Sequence, residues 1–481
     1  MATTATPDPR RWKALAVLGV AYLMVVLDIS IVNVALPSIE TDLDFAPEDL
    51  QWVVSGYALT FGGLLLLGGR LGDLLGRRTL FMVGLGLFAL ASLLCGLSVS
   101  AGMLIAMRLL QGAAGAILSP SVFSITTVTF AEGAERNKAL GILGAIAGSG
   151  AAIGVLLGGI LTEYAGWEWI FFVNVPIGVL ALVAVPRYVS ESHATDLARH
   201  FDAAGAITVT ASLMIFVYAL TQTTNAGWLS LQTIGLFILS AVLMAAFFFV
   251  EGRSRSPLVP LRIFRRRTLV GANTVGFGLG TAIFGMFFLL SLYMQQVLGF
   301  SALQTGVGYL AVALTAVAAS GVAQALTTRL GVKPVLATGL GLLAAGLIFF
   351  TQVSVDGSYV SDLLPGFLMI GVGLGFSFVP VSIAALAGAT DKEAGLQSGL
   401  INTSQQIGGA LGLAVLSTVA TTRTENLLEE GVAQPLALTE GFSLAFWVGA
   451  GVAIVSVIAT LVMLKREELG TEPETAGAHV G

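Results

Sequence analysis

The stretch Gly68–Arg78 reads GGRLGDLLGRR and falls between two long apolar runs. One acid, Asp73, and three arginines, Arg70, Arg77 and Arg78, are set among Gly68, Gly69, Gly72 and Gly76. In a chain of membrane helices, the loops between spans are where charge costs least. A turn this tight and this charged reads as a latch between helices that must separate during a working cycle. The glycines permit close turns, and Asp73 can reach a helix N-terminus or an arginine. Such a contact contributes roughly 0.3–1 kcal/mol when exposed and more when partly buried. The plainer alternative is that Arg77 and Arg78 only enforce topology.

The rest of the chain supports helices on both sides of that turn. Of 481 residues, 56% are hydrophobic, only 11% are charged and 59 are glycine. A soluble chain of this length needs far more charge to cover so much apolar surface. Many of the apolar runs reach the roughly 20 residues that cross a hydrocarbon core as a helix. The chain therefore reads as an all-α polytopic membrane protein. Its first apolar run follows Arg10, Arg11 and Lys13, as in a signal peptide. It is too long for one, contains Asp28 and lacks a small-residue cleavage site, so it reads as a retained span. The single cysteine, Cys95, excludes an intrachain disulfide.

Hydropathy predicts about fourteen spans, each helical because lipid offers the backbone no partner. Their limits are 13–36, 50–69, 79–99, 102–125, 138–162, 168–189, 204–222, 231–251, 269–297, 301–326, 333–353, 360–388, 395–420 and 441–464. With the N-terminus inside, every Lys and Arg except Arg108 and Arg423 falls on the inner side. Outer loops instead carry Glu40, Asp42, Asp44, Glu48, Asp49, Glu429 and Glu430. That asymmetry predicts two cytoplasmic termini and an even number of helices. The polar stretch Arg187–Asp202 and the basic stretch Gly252–Thr268 divide the chain. The expected organisation is an N-terminal six-helix bundle (1–190), a linker with two extra spans (191–267), a C-terminal six-helix bundle (268–466) and a disordered cytoplasmic tail (467–481). Gly321–Pro334, GVAQALTTRLGVKP, occupies in the last block the place of the charged latch in the first. It keeps glycine and basic residues but not the acid. Paired halves with corresponding loops are the mark of a transporter that rocks about a midplane site.

Asp28, in LDISIVNVALP, is the only carboxylate well inside a span. An ionisable group at a helix centre costs about 2.5–3.5 kcal/mol on insertion scales and is functional by default. The expectation is a proton carrier; the alternative is a structural hydrogen bond or a place nearer the interface. Arg108, in MRLLQGAAGA, is the only base inside a span, and Gln111 follows one turn later on its face. Arg108 and Asp28 are expected to communicate, unless the arginine only snorkels or caps carbonyls. Spacing by four puts Gly150, Gly154 and Gly158 on one face of the fifth span, with Gly141 and Gly159 beside them. Such a face admits a close partner helix, either static or sliding. Asn402, Gln405 and Gln406 in the thirteenth span, with Asn33 and Gln111, are the candidates for a substrate cavity. The run RIFRRR, Arg262–Arg267, is placed against anionic lipid at the inner surface. Gly371, Gly373 and Gly375 follow no strand, so they are not read as a nucleotide loop.

On these motifs the chain resembles the major facilitator superfamily, and more narrowly its fourteen-helix drug:proton antiporters of the EmrB/QacA type. GRLGDLLGRR matches the family's loop motif between helices two and three, and LDISIVNVALP its first-helix motif, with Asp28 at the acid position. Arg108–Ala116 fits the fourth-helix motif, whose arginine is implicated in proton transfer. Gly141, Gly150, Gly154, Gly158 and Gly159 fit the fifth-helix antiporter motif. QWVVSGY (51–57), WEWIFFVNVPIG (167–178) and SGLINTSQQIGGALG (398–412) follow in order. Val155 stands where the antiporter motif usually has proline, and Glu168 where an arginine is expected.

The resemblance implies a major facilitator fold of two six-helix bundles plus two helices. It also implies proton-coupled efflux of drugs or other amphipathic compounds across the cytoplasmic membrane. Asp28 and Arg108 would couple protons, and Gly69, Gly72, Asp73, Gly76, Arg77 and Arg78 would form the conformational latch. The expected partners are an apolar or cationic small molecule, protons and membrane lipid. A dedicated exporter or symporter of a metabolite, lipid or amino acid is the alternative on the same fold. An enzyme is not expected: His193, His200 and His479 lie outside the spans, and there is neither an HExxH nor a Walker motif. No cofactor, metal or nucleic acid is implied.

Overall fold

The computed structural model describes residues 10–130, 134–192, 202–227, 229–254, 257, 265–387 and 391–465. Fourteen long helices follow one another: α1 (Arg11–Asp42), α2 (Trp52–Leu75), α3 (Arg77–Gly96), α4 (Ala101–Thr129), α5 (Ala134–Tyr164), α6 (Asn174–Tyr188), α7 (Ala203–Ala226), α8 (Leu231–Arg253), α9 (Arg267–Leu292), α10 (Ala302–Leu330), α11 (Val332–Phe350), α12 (Leu364–Leu386), α13 (Asp391–Glu429) and α14 (Gln434–Met463). Ten helices are each long and apolar enough to cross a membrane on their described residues alone. An even number of passes returns the end of α14 to the face where α1 begins, here called the terminal face. Arg11 there pairs with Glu135 at the start of α5 at 2.6 Å. The expected tail 467–481 lies outside the described residues, as do Arg262–Phe264 of the basic run.

Local chemistry sets the helix ends. Ser100 and Ser230 cap α4 and α8 by accepting the backbone N–H of Met103 and Thr233. Ser301 and Gln304 form a reciprocal capping box at the start of α10. Gly76 (φ 105°) joins α2 to α3, and Gly331 (φ 87°) joins α10 to α11. Both need the left-handed backbone that glycine adopts without strain. The repeat read between Gly68–Arg78 and Gly321–Pro334 therefore corresponds to two turns with the same kind of glycine at the same place.

Helix pairing repeats as well. In the first six helices α1 packs on α5, and α4 on both α2 and α3. In the last six, α9 packs on α13, and α12 on both α10 and α11. The halves meet through α5 against α10 and α13 against α2, two seams that exchange when the halves are interchanged. The extra helices α7 and α8 pair with each other, Ser212 and Ser240 each donating to the other's carbonyl at 2.7 and 2.9 Å. α7 also lies against α2 and α13, Thr210 Oγ1 donating to the Gly63 carbonyl at 3.0 Å.

The halves are fastened on the face away from the termini. α9 continues into a π turn, Tyr293–Val297, which carries Gln295 and Gln296. Gln295 Nε2 donates to the Val34 carbonyl at 2.9 Å, and Gln296 Nε2 to Glu40 Oε2 at 2.6 Å. Ser417 of α13 donates to Gln51 Oε1. The apolar core shared by both halves takes Ile31–Ile39, Phe45, Val53 and Trp167 from the first half, all toward that far face. Toward the terminal face the first half closes on itself around Leu18, Phe81, Phe88 and Leu118.

One expectation changes. The stretch 421–440 is not a long outer loop: α13 runs to Glu429 and α14 begins at Gln434. Hydropathy ends near residue 420 because the residues beyond are polar. The helix continues because polar residues cost nothing once it leaves the apolar layer.

Candidate functional site

Asp28 sits at mid-length of α1 with no exposure to solvent. Its Oδ2 accepts from Arg108 Nη1 at 2.5 Å. Its Oδ1 accepts from Gln111 Nε2 at 2.7 Å and from Asn174 Nδ2 at 3.1 Å. Arg108 and Gln111 stand one turn apart on α4, so one helix face presents both to α1. Asn174 comes from the first turn of α6, and Ser92 of α3 accepts from Gln111 at 2.7 Å and from Asn174 at 3.4 Å. Arg108 is held on its other edges as well: Nε donates to the Val53 carbonyl of α2 at 2.8 Å, and Nη1 to Gln111 Oε1 at 2.6 Å. The guanidinium carbon lies 4.5 Å from the Tyr57 ring centroid and 5.6 Å from that of Phe171. Groups from five helices, α1, α2, α3, α4 and α6, thus meet in one buried cluster around the Asp28–Arg108 pair.

The physics of the arrangement is that of a buried ion pair with its remaining valences filled. Asp28, Arg108, Gln111 and Ser92 are all fully buried. Burying both charges is costly, and only close pairing with further hydrogen bonds offsets the cost. Removing one partner alone leaves the other charged and unpaired, at a cost of about 3–5 kcal/mol. Protonating Asp28 has the same electrostatic consequence without a mutation. It cancels the acid's charge, leaves the Arg108 charge uncompensated and turns one accepting oxygen into a donor.

The other expected residues are placed as follows. Gln111, one of the cavity candidates, is fully buried within the Asp28 cluster, where its amide both donates and accepts. Asn33 is nearly buried and donates to the Ile29 carbonyl at 3.1 Å, while its Oδ1 has no hydrogen-bond partner among the described residues. Asn402 is exposed, and Gln405 and Gln406 are half-buried. Gln406 packs on Gly62 of α2 across the seam between the halves.

Gly150, Gly154 and Gly158 face α1. A Cβ on them would meet Val26, Ser30 and the Ile31 carbonyl respectively. Gly159 turns instead to α10, against the Ala302 carbonyl, and Gly306 of α10 approaches the Val155 carbonyl. α5 is therefore pressed between the helix of Asp28 and the opposite half. It runs unbroken through Val155. The surroundings of Gly141 lie outside the described residues.

In the latch, Gly76 makes the turn and Gly72 packs near Leu80 and Ser121. Gly69, Arg70 and Asp73 fall on the last turns of α2, and their side chains lie outside the described part of the structure. Among the described residues, a carboxylate that holds this corner is Glu191, from the segment after α6. It accepts the backbone N–H of Arg78 at 2.9 Å and of Thr79 at 3.0 Å, and the Thr79 hydroxyl at 2.6 Å. Arg78 Nε approaches it at 3.7 Å, and the Arg77 N–H donates to the Ser192 carbonyl at 3.1 Å. Partial burial pushes the Glu191 carboxyl up, but the hydrogen bonds from Thr79, Arg78 and Ser192 outweigh it and hold the group below its usual range.

Sequence reasoning gave no role to Ser92, Asn174, Tyr57, Phe171 or Glu191. Three of the five lay in quoted motifs: Tyr57 in QWVVSGY, and Phe171 and Asn174 in WEWIFFVNVPIG. An Asn between apolar residues at the start of a span was the available signal.

A model of the Major Facilitator Superfamily matches residues 18–413. The puromycin resistance protein pur8 of Streptomyces alboniger is 38% identical, covering 98% of this chain and 95% of its own. The cephamycin export protein CmcT of Amycolatopsis lactamdurans is 36% identical, covering 96% and 94%. The crystal structure of the nucleoside transporter NupG superposes with a TM-score of 0.67 at 11% identity, over 94% of this chain and all of that one. The all-helical, multi-pass architecture and the full-length similarity agree, and the chain belongs to the major facilitator superfamily of transporters, in its fourteen-helix branch.

Proposed function

We infer that this protein exports drug-like small molecules, antibiotics among them, in exchange for protons. The observation that carries the reading is the Asp28–Arg108 pair: a fully buried carboxylate bonded by groups from two other helices, α4 and α6, in the half-bundle whose α5 presses on the other half. Asp28 is the proton carrier and Arg108, positioned by Gln111 and Asn174, its partner. Gly69, Gly72, Asp73, Gly76, Arg77 and Arg78, with Glu191, form the corner that changes as the terminal face opens and closes. Residues 1–190 and 268–466 act as the two moving bundles, with 191–267 as an added helical pair. The Lys and Arg distribution supports cytoplasmic termini in a plasma membrane. With the far face fastened, the described arrangement is then the one closed to the outside.

The relatives' names cite puromycin and cephamycin, which share little chemistry, so a cavity that selects by apolar surface more than by a fixed polar pattern fits both. Because Asp28 is sealed and ion-paired here, a cationic substrate does not reach its carboxylate directly. Coupling through α1 and α5 serves neutral and cationic cargo alike.

The test is dye or antibiotic transport in proteoliposomes under an imposed pH gradient. Asp28→Asn is expected to abolish gradient-driven transport while leaving downhill exchange. Arg108→Lys keeps the charge but cannot reach Val53, Gln111 and Asp28 together, so gradient-driven transport falls with it. Undiminished coupling in Asp28→Asn would remove the assignment.

A further inference from the structure

Arg423 is the one base that the charge asymmetry leaves on the far side, and it has no part in the mechanism above. It lies on the polar extension of α13 and borders a crevice of about 400 Å³ whose other lining residues are Glu440, Ser443, Leu444 and Trp447 of α14. Positions 440, 444 and 447 recur at helical spacing, so one stripe of α14 forms the wall. The stripe is graded: the charge of Glu440 stands about 10 Å nearer the far end of α14 than Trp447, at 1.5 Å per residue. Leu444 and Trp447 are 43% and 54% exposed, so the wall is open to its surroundings. Ser443 is already engaged, donating to the Thr351 carbonyl at 2.7 Å, which pins the wall to the end of α11.

The two charges of the crevice are not spent on each other. Among the described residues ion pairs join Arg11 to Glu135, Arg78 to Glu191 and Arg108 to Asp28, and none joins Arg423 to Glu440. Opposite charges that border one crevice unjoined, above an apolar wall near the far ends of α13 and α14, complement a ligand that carries both charges and a hydrocarbon chain. A free anion would use only the arginine and be opposed by the acid. We propose that this crevice binds a phospholipid of the far leaflet whose headgroup holds both a phosphate and a primary ammonium. The phosphate takes the planar fork of Arg423, the ammonium donates to Glu440, and an acyl chain descends past Leu444 over Trp447, a residue type favoured at this depth.

The test is native mass spectrometry of the full-length protein titrated separately with dioleoyl phosphatidylethanolamine and dioleoyl phosphatidylglycerol. The wild type is expected to retain the ethanolamine lipid about tenfold more tightly. Glu440→Gln should erase that preference, and Arg423→Gln should weaken both lipids. Equal retention of the two lipids by the wild type, which depends on no variant's folding, would overturn the proposal. So would a preference unchanged in both variants, or one lost in Arg423→Gln but kept in Glu440→Gln.

Discussion

Glu191 illustrates what single residues contribute and what hides them from a sequence. It caps the first turn of α3 with hydrogen bonds to the Arg78 and Thr79 amides, yet it lies in a polar segment more than a hundred residues later. Nothing in its neighbours distinguishes it from any solvated acid. Asp28 and Arg108 were legible for the opposite reason: a charge within an apolar run is costly enough to need an explanation. Ser92 and Asn174, which finish the same site, are neutral; the Asn within an apolar run was a weak signal, and which groups they serve follows from which helices meet. The Glu191 cap carries a pH signature. A carboxyl held below its unfolded value contributes stability that is present above the unfolded value, about 4.3, and is lost as pH falls through the lower folded one. Glu191→Gln should therefore unfold at a lower temperature than the wild type at pH 7. The difference should close as the pH drops below about 4, as followed by thermal unfolding in detergent. A deficit independent of pH would mean that the amide packs badly, not that a charge was lost.

At the scale of elements, hydropathy recovered all fourteen helices because each must hide an apolar surface, and it missed only what leaves that layer, such as the polar end of α13. The contacts of the fifth-helix glycines were partly legible. Spacing put Gly150, Gly154 and Gly158 on one face, but not that the face belongs to α1 while Gly159 serves α10. That division places α5 between the helix of Asp28 and the other half, alongside the direct contacts that α1 makes there through Val34 and Glu40. The approach is closest to rigid backbone at Gly158, where an added Cβ would stand 2.6 Å from the Ile31 carbonyl. At Gly86 of α3 the nearest atom is 3.9 Å away, a flexible leucine end. Gly158→Ala is thus expected to cost about 1–3 kcal/mol, the range for overpacking, with loss of transport, while Gly86→Ala is neutral in both. Equal behaviour of the two variants in thermal unfolding and dye efflux would show that the α1–α5 contact has slack.

For the molecule as a whole, the pairing pattern leaves two seams related by exchange of the halves, α5 against α10 and α13 against α2, with α7 laid beside the second. Both halves share a large apolar core toward the far face and a smaller one between α2 and α13, and the far face also carries the hydrogen bonds of Gln295, Gln296 and Ser417 across the seam. A transporter that exposes its site alternately must break these contacts once per cycle. The three hydrogen bonds among them cost little to break: each is one neutral or singly charged bond, net about 0.5–3 kcal/mol, so they can bias a population without freezing it. A covalent bridge at the same place should freeze it. Cysteines at Gln51 and Ser417, joined by a short thiol-reactive crosslinker, should reduce gradient-driven transport to the level of protein-free liposomes, and a reducible linker should restore it on cleavage. The single native thiol, Cys95, is fully buried, so the reagent has little else to modify. Transport that continued through the bridged state would mean that the far face need not part there, and that the two halves do not rock about a central site.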